Sequence, residues 1–504
     1  MIYKFSFSFI HDYKRFVSYS VIHHLTVIFS INCCEIKLNE IAKKFCYFEE
    51  GDMIDTKRIV IVIIFFFAFI QISCHSEKDA KLHLALVAPL TGESSGCGNA
   101  YLNGVRMYLE KFNQQCGEKS VILDIYDDQN KRHLAEQKAR EIVQDHRALG
   151  VIGHHYSSCS IAGGNVYKEN HIPAITPTST NINVTVNNPW YFRVTFHDNY
   201  QARFLANYAV KIIQKTHCVL ICETQTYGSY ISDIFEKSMI KLDGSIDKKY
   251  VFNAQKGDIE IQLKNIVNDI QQNISSEKSA FIFISSHVPE GLELIKLIRD
   301  ANLHHSILLP DTFAGGTFTQ KITNLPAEKN NPGFYTNRIY VASPFIYDIA
   351  NQSAQVFKQN YFEKFNESPD WRAAFAYDAA RLLVHAIKEA DISGKKPLLE
   401  QERQSIRDYL LSINTPKKGI DGLTGLTFFD KNGDAAKPLS IATFYQQNLV
   451  SAFTQLKVVN KPYTKTEIQK KWLMALLFWW MINTCFKQTL FIQAFILIPF
   501  KISI

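Results

Sequence analysis

The chain has 504 residues, enough for two or three domains, and 46% hydrophobic against 20% charged residues supports packed cores and argues against a disordered chain. Its net charge of +7 sits at the ends: residues 1–81 hold ten Lys/Arg against nine Asp/Glu and residues 461–504 six against one, leaving 39 against 38 for residues 82–460. A middle so nearly neutral has no field to attract a phosphate backbone, so nucleic acid is not an expected partner.

In chain order, residues 57–74 (KRIVIVIIFFFAFIQISC) place Lys57-Arg58 before an unbroken apolar run, Ile59 to Ile70, and a small-residue exit at Ser73-Cys74. That is the layout of a secretory signal, and it opens at Met53. Residues 1–52 are then either an over-extended gene start or a genuine aromatic-rich extension. Cys74 resembles the lipidated cysteine of a bacterial lipobox, with Gln71 where Leu is usual. The expected course is lipidation at Cys74, with plain cleavage or an uncleaved anchor as the alternatives.

From residue 82 short apolar runs alternate with amphipathic stretches. Strands are expected at 82–90, 121–128, 148–155 and 172–180, with helices at 99–115, 132–147 and 161–170 between them. The pattern restarts near residue 198. Helices at 199–215, 228–242, 258–273 and 289–302 alternate with strands at 217–222, 249–255, 279–286 and 306–310. A connecting strand at 337–347, helices at 350–365, 370–390 and 400–413, and a closing hairpin follow. Two β-α-β series of domain size predict two α/β lobes, each a doubly wound parallel sheet. Asp430, Asn432 and Asp434 mimic the start of a calcium loop, but its twelfth position is Ile441, so a simple turn is expected. Residues 472–486 and 489–500 are apolar and together could span a bilayer once, or could be read-through beyond the fold.

The segments VAPLTGESSGCGNAYLNGVRMYLEKFN, YDDQNKRHLAEQKAREIV, GVIGHHYSSCSIAG and IPAITPTST, in this order and spacing, resemble the type I periplasmic solute-binding family. The branch is that of the leucine/isoleucine/valine-binding proteins of ABC importers. The likeness covers residues 82–460. It implies two lobes joined by three hinge crossings, here near 196–199, 343–346 and 424–428. Lobe 1 would be residues 82–197 plus 345–425, and lobe 2 residues 198–344 plus 426–460, with 461–504 as a hydrophobic tail.

Ligands of open α/β sheets bind beyond the carboxyl ends of the strands. Two strands of the first series end in His155-Tyr156-Ser157-Ser158 and Pro177-Thr178-Ser179-Thr180. These loops offer hydroxyls and backbone N–H groups beside a helix start, which suits a carboxylate without a buried lysine. By resemblance, Ser157, Thr178 and Thr180 hold the ligand α-carboxylate, Thr178 mainly through its backbone. Ser157 and Thr180 acting only as caps is the plainer alternative. The second series presents Tyr227, His287 and Asp311 at its strand ends. The family usually has an acidic residue at the place of Asp311, to pair an ammonium, and a Tyr at the place of His287. Tyr227 would wall the cleft. Cys97 lies in the first loop, where the family often places a Tyr or Gly near the ligand side chain, and Phe375 adds either an apolar wall or core.

The function implied is capture of an amino acid or related amide by lobe closure and delivery to an ABC permease, in the periplasm or at the outer face of the cytoplasmic membrane. A sensor domain closing in the same way onto a signalling partner is the alternative, suggested by the apolar C-terminus. No cofactor or metal set is expected. His154, His155 and Cys159 form a tempting nucleophile cluster, but no third group is evident to orient a base, so no enzyme is expected. Cys97 with Cys159 is the one disulfide the layout would allow.

Overall fold

Residues 81–116, 120–274 and 280–456 are described in the computed structural model of the chain. The expectations for residues 1–52, for 53–74 with Cys74, and for 461–504 lie outside them. Continuous apolar runs become interior strands. In β1 (Leu82–Ala88) only one residue is not fully buried, and β3 (Ala148–Ile152) and β4 (Ala174–Thr176) are buried throughout. Such runs are apolar at nearly every position because helices cover both faces of a parallel sheet. With β2 (Val121–Asp127) and β5 (Tyr191–Arg193), they form a parallel sheet of order β2-β1-β3-β4-β5.

The second sheet uses β6 (His217–Glu223), β7 (Ser245–Phe252), β8 (Ala280–Ser285), β9 (Ser306–Leu309), β10 (Ile339–Ser343), β11 (Ser440–Tyr445) and β12 (Asn448–Ser451). Its order is β12-β11-β10-β9-β8-β6-β7, parallel from β7 to β10 and antiparallel beyond. The order β7-β6-β8-β9-β10 repeats that of the first sheet. β7 starts four residues before its expected start because its Asp247, Lys248 and Lys249 break the apolar run, as suits an edge strand facing water.

The helices are α1 (Ser95–Cys116), α2 (Arg132–Gln144), α3 (Ser157–Glu169), α4 (Asp198–Tyr208), α5 (Thr226–Ile240), α6 (Ile259–Asn273), α7 (Val288–Asp300), α8 (Gly316–Thr323), α9 (Pro326–Asn330), α10 (Gln352–Phe365), α11 (Trp371–Glu389) and α12 (Leu399–Ser412). Each sheet carries apolar clusters on its two faces, one shared with α11 and α12, another with α4 and α5. α1 and α11 pack closely through Gly104, where a Cβ would lie 2.2 Å from the Ala373 carbonyl oxygen. Among the described residues no helix is long and apolar enough to cross a membrane.

Two doubly wound α/β lobes, the fold class read from the sequence, are therefore present. The chain passes from β5 in the first sheet to α4 against the second, and from β10 in the second to Phe345 against the first core. The third passage differs from the expected 424–428. Residues 424–428 stay with the first lobe, where Asp378 of α11 accepts hydrogen bonds from the Leu423 and Thr424 N–H groups at 2.8 Å each. Residues 433–435 then run beside β5: Arg193 N donates to Gly433 O and Ala435 N to Arg193 O, both at 2.9 Å. Phe429 and Ala435 are in the first core and Leu439 is in the second, so the crossing falls between them. The cause is a buried charge pair, Arg193 Nη2 to Asp434 Oδ1 at 2.8 Å, that holds the Asp434 turn to the first sheet.

Candidate ligand-binding site

In both sheets the connections reverse direction between the second and third strands from one edge, β1/β3 in one and β6/β8 in the other, and ligands of open sheets bind beside such points. On the first lobe β3 runs out at Ile152 and α3 begins at Ser157. Tyr156 is the N-cap of α3 and has no capping oxygen, so its side chain leaves the first-turn N–H groups uncovered. Ser157 Oγ accepts from Asn181 N at 3.2 Å, tying this loop to the next.

That next loop, 177–181, is held from within. Thr176 Oγ1 donates to His154 O at 3.0 Å and accepts from Ser179 N at 3.0 Å, while Ser179 Oγ bonds Ser160 Oγ at 2.7 Å. Arg193 Nη1 donates to the Ser179 and Asn181 carbonyls at 2.9 Å each, pinning the residues on either side of Thr180. Thr178 is engaged too. Its hydroxyl bonds Tyr101 and donates to His155 O at 3.2 Å, and its N–H donates to Thr176 Oγ1 at 3.3 Å.

On the second lobe Asp311, just after β9, is buried. Tyr227 Oη and Gln201 Nε2 donate to its Oδ1 at 2.6 and 3.0 Å, and its N–H donates to Gln201 Oε1 at 2.7 Å. Burial raises the Asp311 carboxyl above its ordinary value, against the pull of Tyr227, Gln201 and Arg372. Asp198 of α4 stands close by, pushed up to about 7 by burial and then by Asp311. His287, the N-cap of α7, pairs with the buried Glu223 at 2.6 Å. Burial draws the imidazole down, but Glu223, with Glu290 and Asp311 behind it, outweighs this and leaves it raised. His155 on the first lobe goes the other way: burial, then Arg372 and His287, hold it well below its usual range.

Ser157, Thr178, Thr180, Tyr156 and Cys97 of the first lobe and Tyr227, His287 and Asp311 of the second line one cavity of about 310 Å³. Ligand pockets run from ~300 Å³ upward, so this one suits a small molecule. The lobes touch across it. The Tyr156 and His287 rings lie 4.7 Å apart, and a Cβ on Gly315 would come within 1.9 Å of Arg372 Nη1. All eight residues expected at the site are thus in one place.

Other parts are arranged differently from the expectation. Phe375 belongs to the core and does not line the cavity; Trp371 and Arg372, one turn earlier in α11, do. His155, Thr312 and Lys321 also line it, and Glu223 and Gln201 stand behind it. Arg372 opens an apolar helix, where a sequence reading assigns an arginine to solvent. Cys97 and Cys159 are both free thiols, and burial, with Asp128 adding, pushes Cys159 up to about 12. His154 is buried between Asp128 Oδ2 at 2.7 Å and Tyr167 Oη at 3.0 Å, which gives it a bracing role. Among the described residues no group of three His, Cys, Asp or Glu is placed to hold a metal.

Two doubly wound lobes, three passages between them and a polar cavity closed at the joint define the class of two-lobed solute-binding proteins. The chain belongs to the periplasmic binding protein family, whose model matches residues 81–448. It is similar to an amino acid binding protein of Pseudomonas aeruginosa, 26% identical over 235 residues, or 46% of this chain and 60% of that protein. It is similar also to the leucine-, isoleucine-, valine-, threonine- and alanine-binding protein of that species, 23% identical over 71% of this chain and 88% of the other. The first of these matches, like one to a Leu/Ile/Val-binding protein of Rhizobium johnstonii (64% of its length), spans less than two thirds of the relative. A leucine-binding protein of Thermotoga maritima superposes with a TM-score of 0.64 at 22% identity, covering 75% of this chain and all of that one. A solute-binding protein of an ABC transporter from Rhodopseudomonas palustris, in complex with 3,4-dihydroxybenzoic acid, gives 0.62 at 15% identity over 76% of this chain and 99% of the other. At such identities the likeness is one of fold.

Proposed function

We propose that this chain is an extracytoplasmic solute-binding protein that captures an amino acid, or a related small polar solute, by closing its two lobes and delivers it to an ABC importer. The observation that carries this reading is one cavity with two chemically different walls. The Ser157 and Thr180 loops supply hydroxyls and helix-start N–H groups suited to a carboxylate. Opposite them, Asp311 with Tyr227 supplies an anion suited to an ammonium. A zwitterion held at both ends favours the closed arrangement because only there do both walls reach it.

The test is a thermal-shift screen of the purified full-length chain against amino acids and small amides, in which at least one is expected to raise the melting temperature. Asp311→Ala is then expected to weaken an amine-bearing ligand far more than its deaminated analogue. Equal loss for both would remove Asp311 from the ammonium role.

A further inference from the structure

We infer that the bound solute carries a second acidic group, received by Arg372 and Trp371, so that the substrate class is a dicarboxylic amino acid. This rests on the amino-acid reading above and narrows it.

Beside the cavity stand two buried donors with nothing to donate to. Arg372 is 5% exposed and Trp371 3%, and both line the cavity. Arg372 Nε and Trp371 Nε1 are each buried without a hydrogen-bond partner. A guanidinium has five N–H donors. The hydrogen bond of this one is from Nη1 to Asp370 Oδ2 at 2.9 Å. Unmatched buried donors are costly, and a buried cation with so few acceptors is costlier still.

Both groups are held in place. Asp370 caps α11, accepting from Arg372 N at 2.9 Å with its other oxygen, and the Arg372 guanidinium carbon lies 4.9 Å from the Trp371 ring centroid. The opposite lobe adds further positive character. Gly315, the N-cap of α8, lies against Arg372, and Lys321 of the same helix also lines the cavity. The lining also holds the Glu93 and Asp311 carboxylates, so its charge is balanced overall, and it is the unpartnered donors, not a net charge, that call for an acceptor. A carboxylate is the acceptor whose two oxygens match the guanidinium fork. Because Gly315 and Arg372 come from different lobes, the guanidinium is braced from both sides only when the lobes close.

Isothermal titration of the full chain with L-glutamate, L-glutamine, L-leucine and glutarate tests this. L-Glutamate is expected to bind at least about tenfold more tightly than its neutral isostere L-glutamine, since a site built for a charged acceptor discriminates strongly against its loss. Arg372→Gln should bring that ratio close to one. Should Arg372→Gln fail to fold, Trp371→Phe, which deletes one donor and keeps the ring, should narrow the ratio. Leucine or glutamine binding as tightly as glutamate overturns the second acidic group and leaves the amino-acid reading standing. So does a ratio that survives both substitutions. Glutarate binding as tightly as glutamate upholds Arg372 and removes the ammonium from the reading. Silence toward all four overturns both.

Discussion

Two buried carboxylates, Asp198 and Asp311, make the cleft sensitive to pH. The Asp198 carboxyl is raised from 3.8 to about 7, so its stabilising contribution is complete below its unfolded value and disappears as pH rises through its folded one. Between those limits stability should fall by on the order of 2–4 kcal/mol. Asp198→Asn should flatten that fall, as denaturant melts at pH 5 and pH 8 would record; an unchanged slope removes Asp198 as its source. Asp311 is raised as well, and an arriving ammonium favours its ionised form. Amine ligands should therefore bind more tightly as pH rises through the raised Asp311 value, with proton release seen by calorimetry in buffers of different ionisation enthalpy.

At the scale of elements, Arg193 organises the first lobe's wall of the cavity without lining it. From the end of β5 it holds the Ser179 and Asn181 carbonyls, bonds Thr185 Oγ1 at 2.8 Å and pairs with Asp434. Removing one partner of a buried pair leaves the other charge uncompensated, typically at a cost of about 3–5 kcal/mol. Arg193→Met should lose about that much in chemical denaturation, and Asp434→Asn a comparable amount. The α1–α11 contact is equally local. Gly104→Ala would press a methyl against backbone, and overpacking of that kind costs roughly 1–3 kcal/mol. A shift in denaturation midpoint at constant slope is the expected record.

For the whole molecule the proposed event is closure, and the Tyr156–His287 contact bridges the gap between lobes. Tyr156→Ala removes a closed-state contact while leaving each sheet intact. An aromatic pair contributes about 0.5–1.5 kcal/mol beyond burial, so ligand affinity should fall by roughly threefold to tenfold. Small-angle scattering of the unliganded protein should show a larger mean radius. An unchanged affinity and radius would mean the ring pair does not bias closure.

Local periodicity was sufficient for the lobes. Apolar runs such as 280–284, short and bounded by polar residues, read as strands covered on both faces, and once strands and helices alternate, strand ends mark the site. Strand ends, together with the family resemblance, are why Ser157, Thr180, Tyr227 and Asp311 could be read from the sequence as candidates for one cleft, and one cavity does bring them together. Only tertiary structure decided the rest. Arg193 and Asp434 lie 241 residues apart, and nothing near either one announces the other, yet their pairing sets where the third passage falls. Arg372 looks like an ordinary solvated helix start until Gly315 of the opposite lobe is laid against it. A burial pattern along a chain reports which face of an element is dry, whereas the partner of a buried charge is chosen by the packing of elements remote in sequence.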